Sequence, residues 1–187
     1  GDKYFPLRAK EGNKYYVKDK VIIQDKSVDL QKLVEKNVRF VTEQLIIPEE
    51  MVESCIELFD EKVDFVVIPA GMTLHYGDAV LNEDLLKEEG DSIYVYGNLK
   101  VPGNLKLDTL EDLISKLIVK DTVVLMKNQE TSFKRLNVEY QRLEFEWEGR
   151  IIENKPNISI DKILLENSSD QVLVRNIATV KLSLIHI

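Results

Sequence analysis

Two segments, FVTEQLIIPEE (Phe40 to Glu50) and YVYGNLKVPGN (Tyr94 to Asn104), superimpose without a gap. Val41 falls on Val95, Leu45 on Leu99, Ile47 on Val101 and Pro48 on Pro102, at an offset of 54 residues. Half that offset leads to FVVIPAGMTLHYG (Phe65 to Gly77), and a further copy, LIVKDTVVLMKN (Leu117 to Asn128), follows. Between the copies lie the apolar pairs Leu33-Val34, Leu58-Phe59, Leu85-Leu86 and Leu113-Ile114, spaced by 25, 27 and 28 residues. A degenerate repeat of about 24 to 30 residues accounts for both series.

Each unit reads as strand, tight turn, second strand and short helix. In DSIYVYGNLKVPGN (Asp91 to Asn104), Ile93 and Val95 point to one face of a strand, and Tyr94 and Tyr96 to the other. Pro48 suits a first helical position, with Glu49 and Glu50 at the positive end of the helix dipole. Met51, Val52, Cys55, Ile56 and Phe59 then share an apolar face. Asp108 with Glu111 reads as a capping box ahead of Leu110, Leu113, Ile114 and Leu117, and Gly90 stops the preceding helix. Helices this short are marginal alone in water, so they need a sheet to lean on.

One such unit cannot bury its own apolar side, whereas stacked units share an interior. The expected fold class is therefore α/β: a solenoid of about four strand-turn-strand-helix repeats with parallel β-rungs and a β-rich C-terminal cap. The expected organisation is a single repeat domain over 1–187, with an N-terminal cap at 1–29, repeats over 30–137 and the cap at 138–187. In that cap Leu143, Phe145 and Trp147 alternate with Glu144, Glu146 and Glu148 before Gly149 turns the chain.

The rung resembles leucine-rich-repeat proteins, whose spacing L-x-x-L-x-L-x-x-N-x-L puts a strand on a concave face and an asparagine in the turn. Ile93, Val95 and Asn98 match the L-x-L-x-x-N part, and Ile114, Leu117, Val119 and Val124 match more of it, with Thr122 where asparagine belongs. A generic parallel β-solenoid fits the same residues. The resemblance covers about residues 30 to 128 and implies a curved ligand-binding or scaffolding surface without catalysis.

Composition narrows the partners. A formal charge of -8, with Lys and Arg scattered among carboxylates, opposes nucleic acid and anionic membrane surfaces. The longest apolar run, Val66 to Met72, is broken by Pro69 and falls far short of the roughly 20 residues that span a bilayer, so no transmembrane segment is expected. A single cysteine, Cys55, excludes an internal disulfide framework and tilts the compartment toward the cytoplasm, with a cell-surface fragment as the other placement. The chain starts at Gly1 rather than Met, which reads as a processed or excised form.

Converging ligands are scarce. His75 lies between Leu74 and Tyr76, where it reads as an outward strand residue, and His186 is penultimate; neither belongs to an H-x-x-x-H or H-E-x-x-H pair. Cys55 shares a helix face with Met51, Val52 and Phe59 and reads as a buried structural thiol. No nucleophile elbow, phosphate-binding loop or dinucleotide fingerprint occurs. With 33 carboxylates any one pair, such as Asp60 with Glu88, carries little weight as an acid and base. No cofactor is expected.

The candidate surface is a row of rings. Tyr94 and Tyr96 occupy the columns that Phe40 and Thr42 occupy in the aligned copy, so Tyr94, Tyr96 and Phe40 are the expected binding residues for a protein or a carbohydrate. The competing reading makes the same rings core, covered by a second layer. The expected function is a non-enzymatic repeat module, a scaffold for a protein or a cell-surface polymer. The alternatives are a carbohydrate-active enzyme with two carboxylates in a groove, and a purely structural segment of a larger protein.

Overall fold

The computed structural model describes residues 3–6, 13–59, 62–160 and 172–182. Among them are β1 (Lys3–Pro6), β2 (Asn13–Tyr16), β3 (Lys20–Ile22), α1 (Leu30–Glu35), β4 (Val38–Val41), β5 (Gln44–Pro48), α2 (Val52–Cys55) and β6 (Asp64–Ile68). Then come β7 (Thr73–Tyr76), β8 (Ala79–Val80), α3 (Glu83–Glu89), β9 (Ser92–Tyr96), β10 (Leu99–Lys100) and β11 (Lys116–Leu125). The described chain closes with α4 (Glu130–Lys134), β12 (Val138–Phe145), β13 (Arg150–Ile160) and β14 (Val172–Leu182). The protein is α/β, with several parallel sheets and few helices.

The four-repeat solenoid with one shared interior is not what these residues build. The described strands form four small sheets: β1-β2-β4, β3-β5-β6, a six-stranded sheet ordered β7-β9-β11-β10-β8 with β12 added on β11, and the pair β13-β14. Copies that coincide in the sequence land in different sheets, Val41 in β4 and Val95 in β9, Leu45 in β5 and Leu99 in β10. Only the later copies are neighbours, with Val95 directly opposite Val119.

The break falls inside the copy Phe65 to Gly77, whose two halves, β6 and β7, belong to separate sheets. Pro69 has no amide to donate. Ala70 N–H instead bonds the Glu49 carboxylate at 2.9 Å, and Gly71 adopts φ +81°, a conformation open to glycine without a steric penalty. The chain thereby leaves the first sheet and starts another.

The interior is divided accordingly. One cluster gathers Leu45, Ile47, Met51, Cys55 and Leu58 beneath α2, and a larger one gathers Leu81, Ile93, Val95, Leu99, Leu110, Leu117, Val123 and Phe133. A third, made of Ile46, Ile68, Met72 and Leu74 with Tyr94, Tyr96 and Ile118 packed on it, lies where the β3-β5-β6 sheet meets the six-stranded sheet. β9 thus uses both of its sides: Ile93 and Val95 are fully buried in the large cluster, while Tyr94 and Tyr96 face the other sheet.

α3 matches its sequence signals. Asn82 accepts from Leu85 N–H at 2.8 Å, Glu83 and Asp84 fill the first turn, and Gly90 ends the helix at φ +93°. Two other expectations differ. Leu107–Leu113 winds as a 3-10 helix entered from Lys106 without a side-chain cap. The turn after β5 alternates 3-10 and α geometry, which rotates Ile56 out to solvent while Cys55 and Leu58 stay buried.

Turns in the six-stranded sheet are aligned by polar side chains. Asp78 accepts from Asn98 N–H at 2.8 Å, and Asn98 accepts from Thr122 N–H at 3.0 Å, in steps of 20 and 24 residues. Beside them Gly97 lies so close to the preceding strand that a Cβ on it would sit 2.6 Å from the Gly77 carbonyl oxygen. Among the described residues no helix is long and apolar enough to cross a membrane.

Candidate functional site

β7 and β9 run parallel with Tyr76 opposite Tyr96. In a pleated sheet, directly opposite residues share a face. The two rings therefore stack, with centroids 5.4 Å apart and planes 19° from parallel. Tyr96 donates its hydroxyl to Gln44 Oε1 on β5 at 3.0 Å, which fixes the ring across the boundary between sheets. Gln24 Nε2 bonds the Leu74 carbonyl at 2.9 Å across the same boundary.

Two lysines frame the pair. Lys120 Nζ stands 3.7 Å from the Tyr96 centroid, and Lys20 Nζ lies 5.5 Å from Tyr96 and 5.8 Å from Tyr76. Ring faces attract such cations through their negative quadrupole. Lys20 also pairs with Asp19 at 3.3 Å. Slight burial works against the Lys20 ammonium, but Asp19 and the hydroxyls of Tyr76 and Tyr96 outweigh it and hold its pKa above the ordinary lysine value.

Of the expected binding residues, the structure brings Tyr96 into this site and sets Tyr94 beneath it. Tyr94 lies opposite Leu74 and Ile118 and packs on the cluster between the sheets. Burial raises its phenol pKa, with Lys120 opposing and Tyr96 and Asp121 adding to the rise. Phe40 is elsewhere: it stacks between Tyr15 at 5.3 Å and Phe59 at 5.2 Å on the edge of the first cluster. The expected row is thus two separate stacks.

Tyr76, Lys20 and Lys120 were not singled out in the sequence. The signal for Tyr76 is present, since Thr73-Leu-His-Tyr76 repeats the alternation of Ile93-Tyr-Val-Tyr96 at a step of 20 residues rather than 27 or 54. The lysines carry no such signal, because they reach the rings from β3 and β11.

His75 is not the outward residue expected. Its Nδ1 sits 2.8 Å from Glu89 Oε2, and its Nε2 sits 2.9 Å from the Asp78 carbonyl oxygen. Both partners are acceptors, so the doubly protonated ring alone satisfies both. Partial burial disfavours that charged ring, but the Glu89 carboxylate and the Asp78 carbonyl outweigh it and raise the pKa.

Cys55 is buried as expected, donating its thiol to the Val52 carbonyl at 3.1 Å, and burial pushes its pKa up. It belongs to the first cluster and does not meet His75. Asp60 and His186 lie outside the described residues, and Glu88 is exposed on α3. Among the described residues no three or more His, Cys, Asp or Glu side chains converge to hold a metal.

No protein-family model, curated protein or solved structure matches this chain. The leucine-rich-repeat resemblance therefore rests on its residues alone.

Proposed function

We propose that the protein is a non-catalytic binding module that engages a partner protein through the face built by Tyr76, Tyr96, Lys20 and Lys120. The observation that carries this reading is Tyr76 itself, 46% exposed on an edge strand yet held by a stacked ring and a neighbouring ammonium. A large amphipathic side chain that is already ordered contributes contact area at little entropic cost, which is why tyrosine is over-represented among residues that dominate binding energy. The faces of Tyr76 and Tyr96 that meet are covered by each other, leaving edges, hydroxyls and two cations to contact a partner. That combination suits a protein surface with apolar and carboxylate groups.

β7 adds a second element. It pairs only with β9 among the described strands, so its other edge offers backbone donors and acceptors beside Tyr76. The test is quantitative capture by immobilised protein from a matched extract, comparing wild type, Tyr76→Ala/Lys120→Glu and Leu113→Ala, the last altering an exposed residue in the 3-10 segment. A partner captured by wild type and Leu113→Ala, and lost at least about tenfold in the double variant, supports the reading. Equal capture by all three overturns it.

A further inference from the structure

A second feature lies at the far end of the six-stranded sheet. The end of β12 and the residues after it face the β13-β14 pair across an open cleft of about 570 Å³, within the range of small-molecule sites. Its apolar walls are Phe145, Trp147, Ile151 and Leu173. Glu144, Glu146 and Arg175 complete the lining.

These groups are held in place before any ligand arrives. Trp147 donates its indole N–H to the Arg150 carbonyl at 3.2 Å, which fixes the ring at the mouth. No other ring stacks on it among the described residues. Phe145 is 40% exposed, with Lys127 Nζ 4.4 Å from its centroid. Glu146 is paired with Lys100, Arg175 with Glu153, and Glu144 with Arg142 at 3.4 Å.

Every charge lining the cleft thus has an opposite charge beside it, so no net field recruits an ion. What remains is a pair of aromatic plates with carboxylate acceptors and a guanidinium donor around them. A complementary ligand is uncharged, has flat apolar C–H faces and carries hydroxyls that both donate and accept. We propose that this cleft binds a neutral oligosaccharide, a pyranose ring lying against Trp147 and Phe145 with its hydroxyls bonded to Glu144, Glu146 and Arg175. The site is separate from the tyrosine face, and either assignment can fail without the other.

Trp147 is the only tryptophan in the chain, so its emission reports on this cleft directly. The experiment titrates the protein with cellotetraose, maltotetraose, chitotetraose and mannotetraose, and with a heparin tetrasaccharide and an acidic hexapeptide for contrast. At least one neutral sugar should give a saturable change in emission, and Phe145→Ala and Glu144→Ala should each weaken it by about tenfold while leaving far-ultraviolet circular dichroism unchanged. Calorimetry with Trp147→Ala should show the heat of binding lost. The proposal is overturned if no neutral sugar gives a saturable change, if only the heparin fragment or the peptide does, or if both cleft variants bind the sugar as wild type does.

Discussion

The six-stranded sheet and the β13-β14 pair use the same backbone device with opposite results. In both, strands about one crossover apart run parallel and in register, Ile93 opposite Leu117 and Val95 opposite Val119 in one, Ile151 opposite Leu173 and Ile158 opposite Val180 in the other. In both, polar side chains stack at the kinks: Asp78, Asn98 and Thr122 in the first, and Asn154 with Asn176 at 2.5 Å in the second. Yet the first sheet sets its apolar column into the largest cluster, while no described residue of the pair is buried, and Leu182 is 79% exposed. Hydrogen-bonded ladders alone leave little net stability, because water competes for the same groups. What separates the two is a second layer, and an isolated two-stranded ribbon is marginal in water.

The largest expected effect tests that contrast directly. Leu117→Ala, at a fully buried position in the six-stranded sheet, should cost about 3 to 4 kcal/mol, whereas Ile151→Ala on the ribbon should cost less than about 1 kcal/mol. Urea unfolding of both variants decides it, and equal losses would show that the ribbon is covered in solution. Gly97→Ala comes next. The added methyl must displace the Gly77 carbonyl and the Asp78 side chain from the turn column, at about 2 kcal/mol. A neutral result would mean that the column relaxes freely, as the open ribbon is expected to.

Gln129 sharpens the comparison from the polar side. It is buried, donates to the Pro102 and Leu105 carbonyls at 2.8 and 3.1 Å, and accepts from Met126 N–H at 3.0 Å. Gln129→Ala strands those backbone groups and should cost about 2 kcal/mol, read in the same unfolding experiment. An Arg175→Ala change, which removes an exposed pair with Glu153 on the ribbon, should stay within about 0.5 kcal/mol.

The smallest effect is a pH dependence. Because the folded pKa of His75 lies above its unfolded value, the folded state binds the proton more tightly. The stabilisation is complete below the unfolded pKa of about 6.5 and disappears as pH rises through the folded pKa. Wild type should therefore lose its advantage over His75→Gln on going from acidic to mildly alkaline buffer, as read from urea midpoints. An advantage that grows with pH would reverse the assignment, and a proton NMR titration of His75 gives the direction independently.

Local alternation was legible and long-range pairing was not. The sequence of β9 shows which residues go inward, Asn82 and Gly90 mark the ends of α3, and the surroundings of Cys55 mark it as core. All of these depend on neighbours within a few residues. The pairing step varies among 20, 22 and 24 residues, so an alignment at 54 joins segments of similar pattern from different sheets. Pro69 was visible, but its consequence depends on Glu49 reaching Ala70 N–H, a contact made only in the folded chain. The site follows the same rule. Tyr96 was readable as one face of a strand, whereas Gln44, Lys20 and Lys120 join it from elements far away in sequence.

The burial of Cys55 has a practical corollary. As the sole sulfhydryl, sealed under α2 and unfavourable to ionise there, it reacts with a maleimide only when that part of the protein opens. Its labelling rate is therefore a clock for breathing of the first cluster, recorded from one atom in an otherwise unmodified molecule.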